Sequence, residues 1–329
     1  MGFGPKLFQF HKKETQYTLR LIPLGGYCMM LSEDDEENAN DENSFEKKSV
    51  WARMAVVLAG PAMNFVIAFL FSMVIIHFCG SDPAIIGAVY NKDNIEKYQI
   101  ENAEEYFNGI YPAEEAGISD GDRVLKIEGS TVKNFRELQI YLQIYGDGSP
   151  IDLTLEKEDG TVYDTTVHPT KTPDGYKIGI MSVGYQLPKN FGELCKYSAY
   201  ETRYWVKATF LSLKLIVTRQ VSSDEVSGPV GVAKNMNDTF NEAAKSSVLD
   251  LFLNWMNYIV LLSANLGVMN LLPIPGLDGG RFIFLLIEAV TRKKVPKDKE
   301  NIVTLIGFVL VMLLMVVILF NDIKNVFFH

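Results

Sequence analysis

Three stretches of this chain contain no Asp, Glu, Lys or Arg: Met54 to Ser81, Leu251 to Leu277, and Ile302 to Asn321. The hydrocarbon core of a bilayer is about 30 Å thick and needs about 20 apolar residues in a helix, so each stretch can cross it. Phe308 to Phe320 is apolar on every side, with no polar stripe to turn toward water or a soluble partner. The fold class expected is therefore a multi-pass α-helical membrane protein. An apolar content of 48% sets a disordered chain aside, and a net charge of −9 argues against nucleic acid as a partner. Cys28, Cys79 and Cys195 are odd in number and far apart, which gives neither a disulfide framework nor a Cys-x-x-Cys metal site.

Residues 1–50 are polar and mixed, and 51–80 form the first span. An α+β insert occupies 84–182, and 190–245 read as an amphipathic helical segment lying in the membrane interface. The second span is expected within 247–290 and the third at 301–321. Arg292, Lys293, Lys294, Lys297 and Lys299 lie between these last two, whereas Lys324 is the lone basic residue after Asn321. Residues 291–301 and 1–50 are accordingly expected in the cytoplasm, with the insert outside.

The second span contains Asn270-Leu-Leu-Pro273-Ile-Pro275-Gly-Leu-Asp278-Gly279-Gly280-Arg281. Each proline removes a backbone donor and each glycine weakens the turn, so a regular helix must break here. Broken backbone at membrane depth is tolerated where it faces protein or a water-filled cavity, and a carboxylate beside it needs a partner. Asp278 is thus a site candidate on physical grounds, with a solvated loop at the headgroups as the plainer alternative. Gly60-Pro61-Ala62-Met63-Asn64 is expected to interrupt the first span in a similar way. On the hairpin side, Tyr17, Leu19 and Leu21 alternate with polar residues, and Pro23 and Gly25-Gly26 then precede Tyr27 to Leu31.

The Gly-Pro-x-x-Asn and Asn-x-x-Pro-x-x-x-x-Asp-Gly patterns resemble the signatures of the site-2 protease family, the intramembrane zinc metalloproteases of peptidase family M50. Gly2-Phe-Gly-Pro-Lys-Leu-Phe, Thr18 to Tyr27, and Ser227-Gly-Pro-Val-Gly-Val232 are similar to further family segments, in the family's order. The resemblance implies that Asp278 is the third protein ligand of a Zn2+ ion and that Asn270 and Pro273 place the substrate backbone. It also implies that Gly60, Pro61, Asn64, Gly279 and Gly280 support the site. The hairpin region with Gly25, Gly26 and Tyr27 would be the membrane-associated β element that receives the substrate as an added strand, an ordinary cytoplasmic hairpin being the alternative.

One departure weighs against these matches. The family's first helix carries His-Glu-x-x-His, two zinc ligands one turn apart and the glutamate that activates water. Here His11, His77, His168 and His329 are scattered, and none lies four residues from another. The chain as given is therefore expected to be N-terminally incomplete, to hold no zinc stably and to be inactive alone. A true pseudoprotease stays open beside that.

Within the insert, Pro112 to Val132 looks like the core of a PDZ domain: a short helix, a glycine turn, then a strand over Arg123 to Ile127. Phe135 to Tyr145 follows as an amphipathic helix, and Ile151 to Glu156 pairs with Thr161 to His168 across Asp159-Gly160. Such a domain implies binding of a peptide C-terminus or a size filter, with a spacer as the alternative. The function implied is regulated intramembrane proteolysis in a bacterial cell membrane. Its substrates would be single-span membrane proteins such as anti-sigma factors or remnant signal peptides. A non-catalytic PDZ membrane scaffold is the second reading, and a transporter with broken helices a third that fits the insert poorly.

Overall fold

The computed structural model describes residues 3–12, 15–22, 44–94, 107–173, 175–218 and 228–328. Gly25, Gly26, Tyr27 and Ser227 lie outside them, as does the expected strand at 27–31. In chain order the elements are β1 (Phe3–Lys12), β2 (Thr15–Ile22), α1 (Val50–Cys79), β3 (Ile86–Val89), α2 (Pro112–Glu115), β4 (Arg123–Ile127), β5 (Ser130–Thr131) and α3 (Phe135–Ile144). There follow β6 (Ile151–Glu156), β7 (Val162–Val167), β8 (Thr170–Thr172), β9 (Gly175–Lys177), β10 (Ile180–Ser182), α4 (Phe191–Val217), α5 (Pro229–Ser246), α6 (Val248–Leu271), α7 (Asp278–Thr291) and α8 (Lys297–Phe328). Three helices among the described residues are long and apolar enough to cross a membrane: Val50–Cys79, Val248–Leu271 and Asp298–Lys324.

The chain divides into two compact units, Met1–Ala59 with Arg281–Ile302, and Gly60–Gly280 with Val303–His329. In the first, β1 and β2 form an antiparallel hairpin in which Phe10 lies opposite Tyr17, the rings stacked at 4.9 Å. Among the described residues, β2 thus pairs with the strand before it. Leu7, Phe8, Phe10, Tyr17, Leu19 and Leu21 are all exposed, and the neighbouring positions Leu7 and Phe8 put apolar groups on both faces. The same unit holds a nearly buried ion pair, Arg53 Nη2 to Glu288 Oε1 at 2.5 Å.

In the second unit the insert has its own core. A four-stranded antiparallel sheet in the order β5-β4-β6-β7 buries Val124, Ile127, Leu153 and Leu155, and Leu138 of α3 packs into the same cluster. The local sequence Lys-Asn-Phe-x-Glu occurs twice, at 133–137 and 189–193, and each copy starts a helix. The reason is the same in both: the asparagine side chain accepts from the glutamate amide at 2.9 Å, and the glutamate carboxylate accepts from the lysine amide. This is reciprocal capping that satisfies otherwise orphaned donors.

Residues 190–245, expected as one interfacial segment, form two helices. The first, α4, clasps the insert: Arg136 pairs with Glu201 and lies over the rings of Tyr204 and Trp205 at 4.2 and 4.9 Å. Glu137 receives Arg203 at 3.2 Å and Lys207 at 3.4 Å. Farther along α4, Trp205 packs on Ala68, Val260 and Ala264, and Thr209 donates to Asn265 of α6.

The second, α5, begins at Gly228-Pro229, and Gly228 has no side chain with which to cap it. Asp322 of α8 does so instead, accepting from the amides of Gly228 (3.1 Å), Val230 (2.6 Å) and Gly231 (2.9 Å). Phe240 then stacks on Trp255 of α6 at 4.3 Å. Contrary to the expected interruption, α1 runs unbroken through Pro61. A single proline forfeits one hydrogen bond, which a long membrane helix absorbs by local adjustment.

Candidate functional site

The second span breaks where its prolines and glycines cluster: α6 ends at Leu271 and α7 starts at Asp278. The connecting turn is closed by bonds from Leu272 N to Met269 O, Ile274 N to Leu272 O and Leu277 N to Ile274 O. Gly276 has φ +97°, a left-handed value that an L side chain resists. Gly279 and Gly280 are buried against this turn. A Cβ at Gly279 would lie 2.6 Å from the Leu271 carbonyl carbon, and one at Gly280 2.5 Å from Ile274 O. The two glycines therefore let the first turn of α7 lie backbone to backbone on the connection, and they fix where Asp278 sits.

Asp278 occupies the first turn of α7, where the partial positive charge of a helix N-terminus favours a carboxylate. Its Oδ2 faces α1 closely enough that a Cβ built on Gly60 would be 3.4 Å away. Nearby, α6 closes on α1 through Gly267, whose absent Cβ would be 2.8 Å from Phe65 Cε1. The two sequence patterns, about two hundred residues apart, thus come together at Gly60 on α1 and Asp278 at the break. Pro61 is buried, Asn64 and Asn270 are half-buried, and Pro273 is exposed. The close approach of Phe65 to Gly267 depends on a glycine standing inside an apolar helix, which sequence reading did not single out as it did Gly60.

Among the described residues, no three His, Cys, Asp or Glu side chains converge on a point that could hold a metal ion. A catalytic zinc takes about three protein ligands. Asp278 is one donor, so the described residues do not by themselves fit a zinc.

Of the cavities in the second unit, two are well formed among the described residues, and neither is lined by Asp278, Asn270 or Asn64. The larger, 590 Å3, opens between Gln139, Leu142 and Gln143 of α3 and the Lys177–Ile180 segment, with buried Phe107 in its wall. The smaller, 370 Å3, lies where Cys79 at the end of α1 faces Arg136, Glu201 and Asn257. Burial lifts the Glu201 carboxyl above the ordinary carboxylate range, with Arg136 pulling the other way. Burial raises Asp82 too, against its bond from Ser182. Within the insert, burial and the hydrogen bond to Asp122 push the Tyr163 hydroxyl up.

The sequence model of peptidase family M50 matches residues 1–314. A candidate zinc metalloprotease of Clostridium acetobutylicum is 35% identical over 325 residues, which is 98% of this chain and 87% of that protein. The zinc metalloprotease RasP of Geobacillus kaustophilus is 30% identical over 405 aligned positions, 99% of this chain and 90% of its own length. The regulator of sigma-W protease RasP of Bacillus subtilis is 28% identical over 410, again 99% and 90%.

Proposed function

Because the chain belongs to peptidase family M50, the site-2 family of zinc metalloproteases, we propose that it forms the substrate-facing body of an intramembrane endopeptidase acting on single-span membrane proteins. The observation that carries this reading is the meeting of Gly60 with the Asp278 carboxylate at a broken, glycine-packed helix end. Such a break leaves backbone groups outside the helix pattern, which at membrane depth is tolerated where they face protein or a water-filled cavity, and a reaction space beside Asp278 is the use this reading gives it.

In this reading Asp278 is one zinc ligand, and Asn270 and Pro273 line the path of the substrate backbone. The exposed apolar hairpin, together with Gly25, Gly26 and Tyr27 that follow it in sequence, takes an unwound substrate segment by strand addition, which supplies affinity without demanding one sequence. The insert is PDZ-like, lies outside the membrane, and offers its 590 Å3 cavity to a peptide C-terminus. Residues 1–50 and 291–301 face the cytoplasm of a bacterial cell. The Bacillus relative carries sigma-W regulation in its name, which supports anti-sigma factors as substrates, with remnant signal peptides as a second class.

One carboxylate does not make a zinc site. In this reading the histidine pair and the general base come from residues outside this sequence, and these 329 residues are inactive alone. The single donor also favours a second reading, a non-catalytic scaffold that captures membrane segments. The gene upstream of Met1 distinguishes the two. An in-frame His-Glu-x-x-His is expected there, and the extended protein should bind one zinc that Asp278→Ala abolishes. No such frame supports the scaffold. An extended protein that keeps its zinc after Asp278→Ala rejects the ligand assignment.

A further inference from the structure

The last helix touches the rest of its unit along one narrow seam. Between Val303 and Lys324, Thr304, Gly307, Val311, Ile318, Asn321 and Asp322 are buried or half-buried, at spacings of three, four and seven, and every other residue is exposed. Such spacing keeps one line of a helix against a neighbour. Gly307 and Asp322 are the two buried members. Asp322 caps α5, and Gly307 meets the turn that leads into Asp278.

The contact at Gly307 is backbone on backbone. A Cβ there would lie 2.5 Å from Pro275 Cβ and 2.6 Å from its carbonyl carbon, closer than atoms approach. From the other side, a Cβ at Gly276 would be 3.2 Å from Phe308 N. Pro275 is also pressed by the first turn of α7, since a Cβ on Gly280 would be 2.9 Å from its Cα. The 274–276 segment is thus held between two helix backbones. Asp278 follows three residues after Pro275, with Gly280 N bonded to Leu277 O at 3.1 Å. Wherever α8 holds Pro275, the carboxylate must follow.

Resting on the reading of Asp278 as the site carboxylate, we propose that Gly307 is a positioning residue: its bare backbone sets the turn at Pro275 and so aims Asp278 at Gly60. Carbon atoms prefer about 3.5 to 4.0 Å, so a methyl at 307 displaces the turn by about 1 Å.

The test uses the full chain in membranes, with Cys28, Cys79 and Cys195 replaced by Ala and two cysteine pairs introduced separately. Gly60→Cys with Asp278→Cys reports the aim of position 278, and Thr209→Cys with Asn265→Cys reports packing elsewhere in the same unit. A Cβ at Gly60 would lie 3.4 Å from the tip of the Asp278 side chain, so a short bifunctional thiol reagent joins each cysteine pair while its approach is kept, and yield follows that geometry. Gly307→Ala should cut the 60–278 yield about fivefold or more and leave the 209–265 yield unchanged. Leu313→Ala, on the exposed side of α8, should alter neither. Unchanged yields, equal loss in both pairs, or no 60–278 cross-link with Gly307 intact would each overturn the proposal. The cross-link needs no zinc. If Gly307→Ala lowers the yield while the extended protein's zinc is indifferent to Asp278, the positioning stands and the ligand reading fails.

Discussion

Arg53 is 8% exposed, and its guanidinium meets Glu288 in a site with little water. Removing one partner of such a pair strands the other, at a cost of about 3–5 kcal/mol. Glu288→Ala is therefore expected to lower the melting temperature of the detergent-solubilised protein sharply, and Arg53→Met with Glu288→Leu should recover most of it. Equal melting for the single and double variants would contradict this. Glu201 behaves differently because burial raises its pKa above the unfolded value. Its contribution to stability is then full below the ordinary glutamate pKa and is lost as pH rises through the raised one. Melting temperature should fall across that window, and Glu201→Gln should flatten the slope. Asp278 and Gly60 stood out in the sequence because carboxylate, proline and glycine are conspicuous in an apolar run. Gly267 and Gly307 did not, since what singles them out is a neighbour's backbone that no local window contains.

The elements differ in how far local chemistry decides them. Apolarity over twenty residues is a local property, and α1, α6 and α8 were legible for that reason. So were α3, from its amphipathic spacing, and the β6–β7 pair across Asp159-Gly160. The alternation of β2 was readable as well, but its partner was not. Register irregularities between Phe3 and Lys6 and between Lys6 and Phe8 break the period of two in β1 and hide it. The start of α5 was signalled by Pro229 but not explained, because its cap comes from 94 residues away. Asp322→Ala should cost about 0.5–2 kcal/mol, the usual loss for an N-cap. Hydrogen exchange should quicken at Val230 and Gly231 and stay unchanged near Thr239. Protection that survives the substitution would show that α5 needs no cap.

At the scale of the whole molecule, the insert is clasped to α4 by charge and aromatic contact, where a flexible tether would have left it free. The docking was invisible in the sequence, because Arg136 and Glu137 on α3 look like ordinary solvated charges until Glu201, Arg203 and Lys207 are set opposite them. Replacing Arg136 and Arg203 together with Ala removes the ion pair at Glu201 and one partner of Glu137 while leaving the α3 cap intact. Spin labels at Glu158 in the insert and Leu249 at the start of α6 should give one narrow distance distribution in the parent and a broad one in the variant. A distribution that stays narrow would mean the covalent connections alone fix the insert.

The cap on α5 has a bearing on biogenesis. Residues leave the ribosome in order, so the first turn of α5 is translated long before the carboxylate that completes it. Until the final helix inserts, three amides at that turn must make do with water or lipid headgroups. A nascent chain halted before Asp322 would thus display an unfinished helix end, which quality-control proteases could read as a mark of premature release.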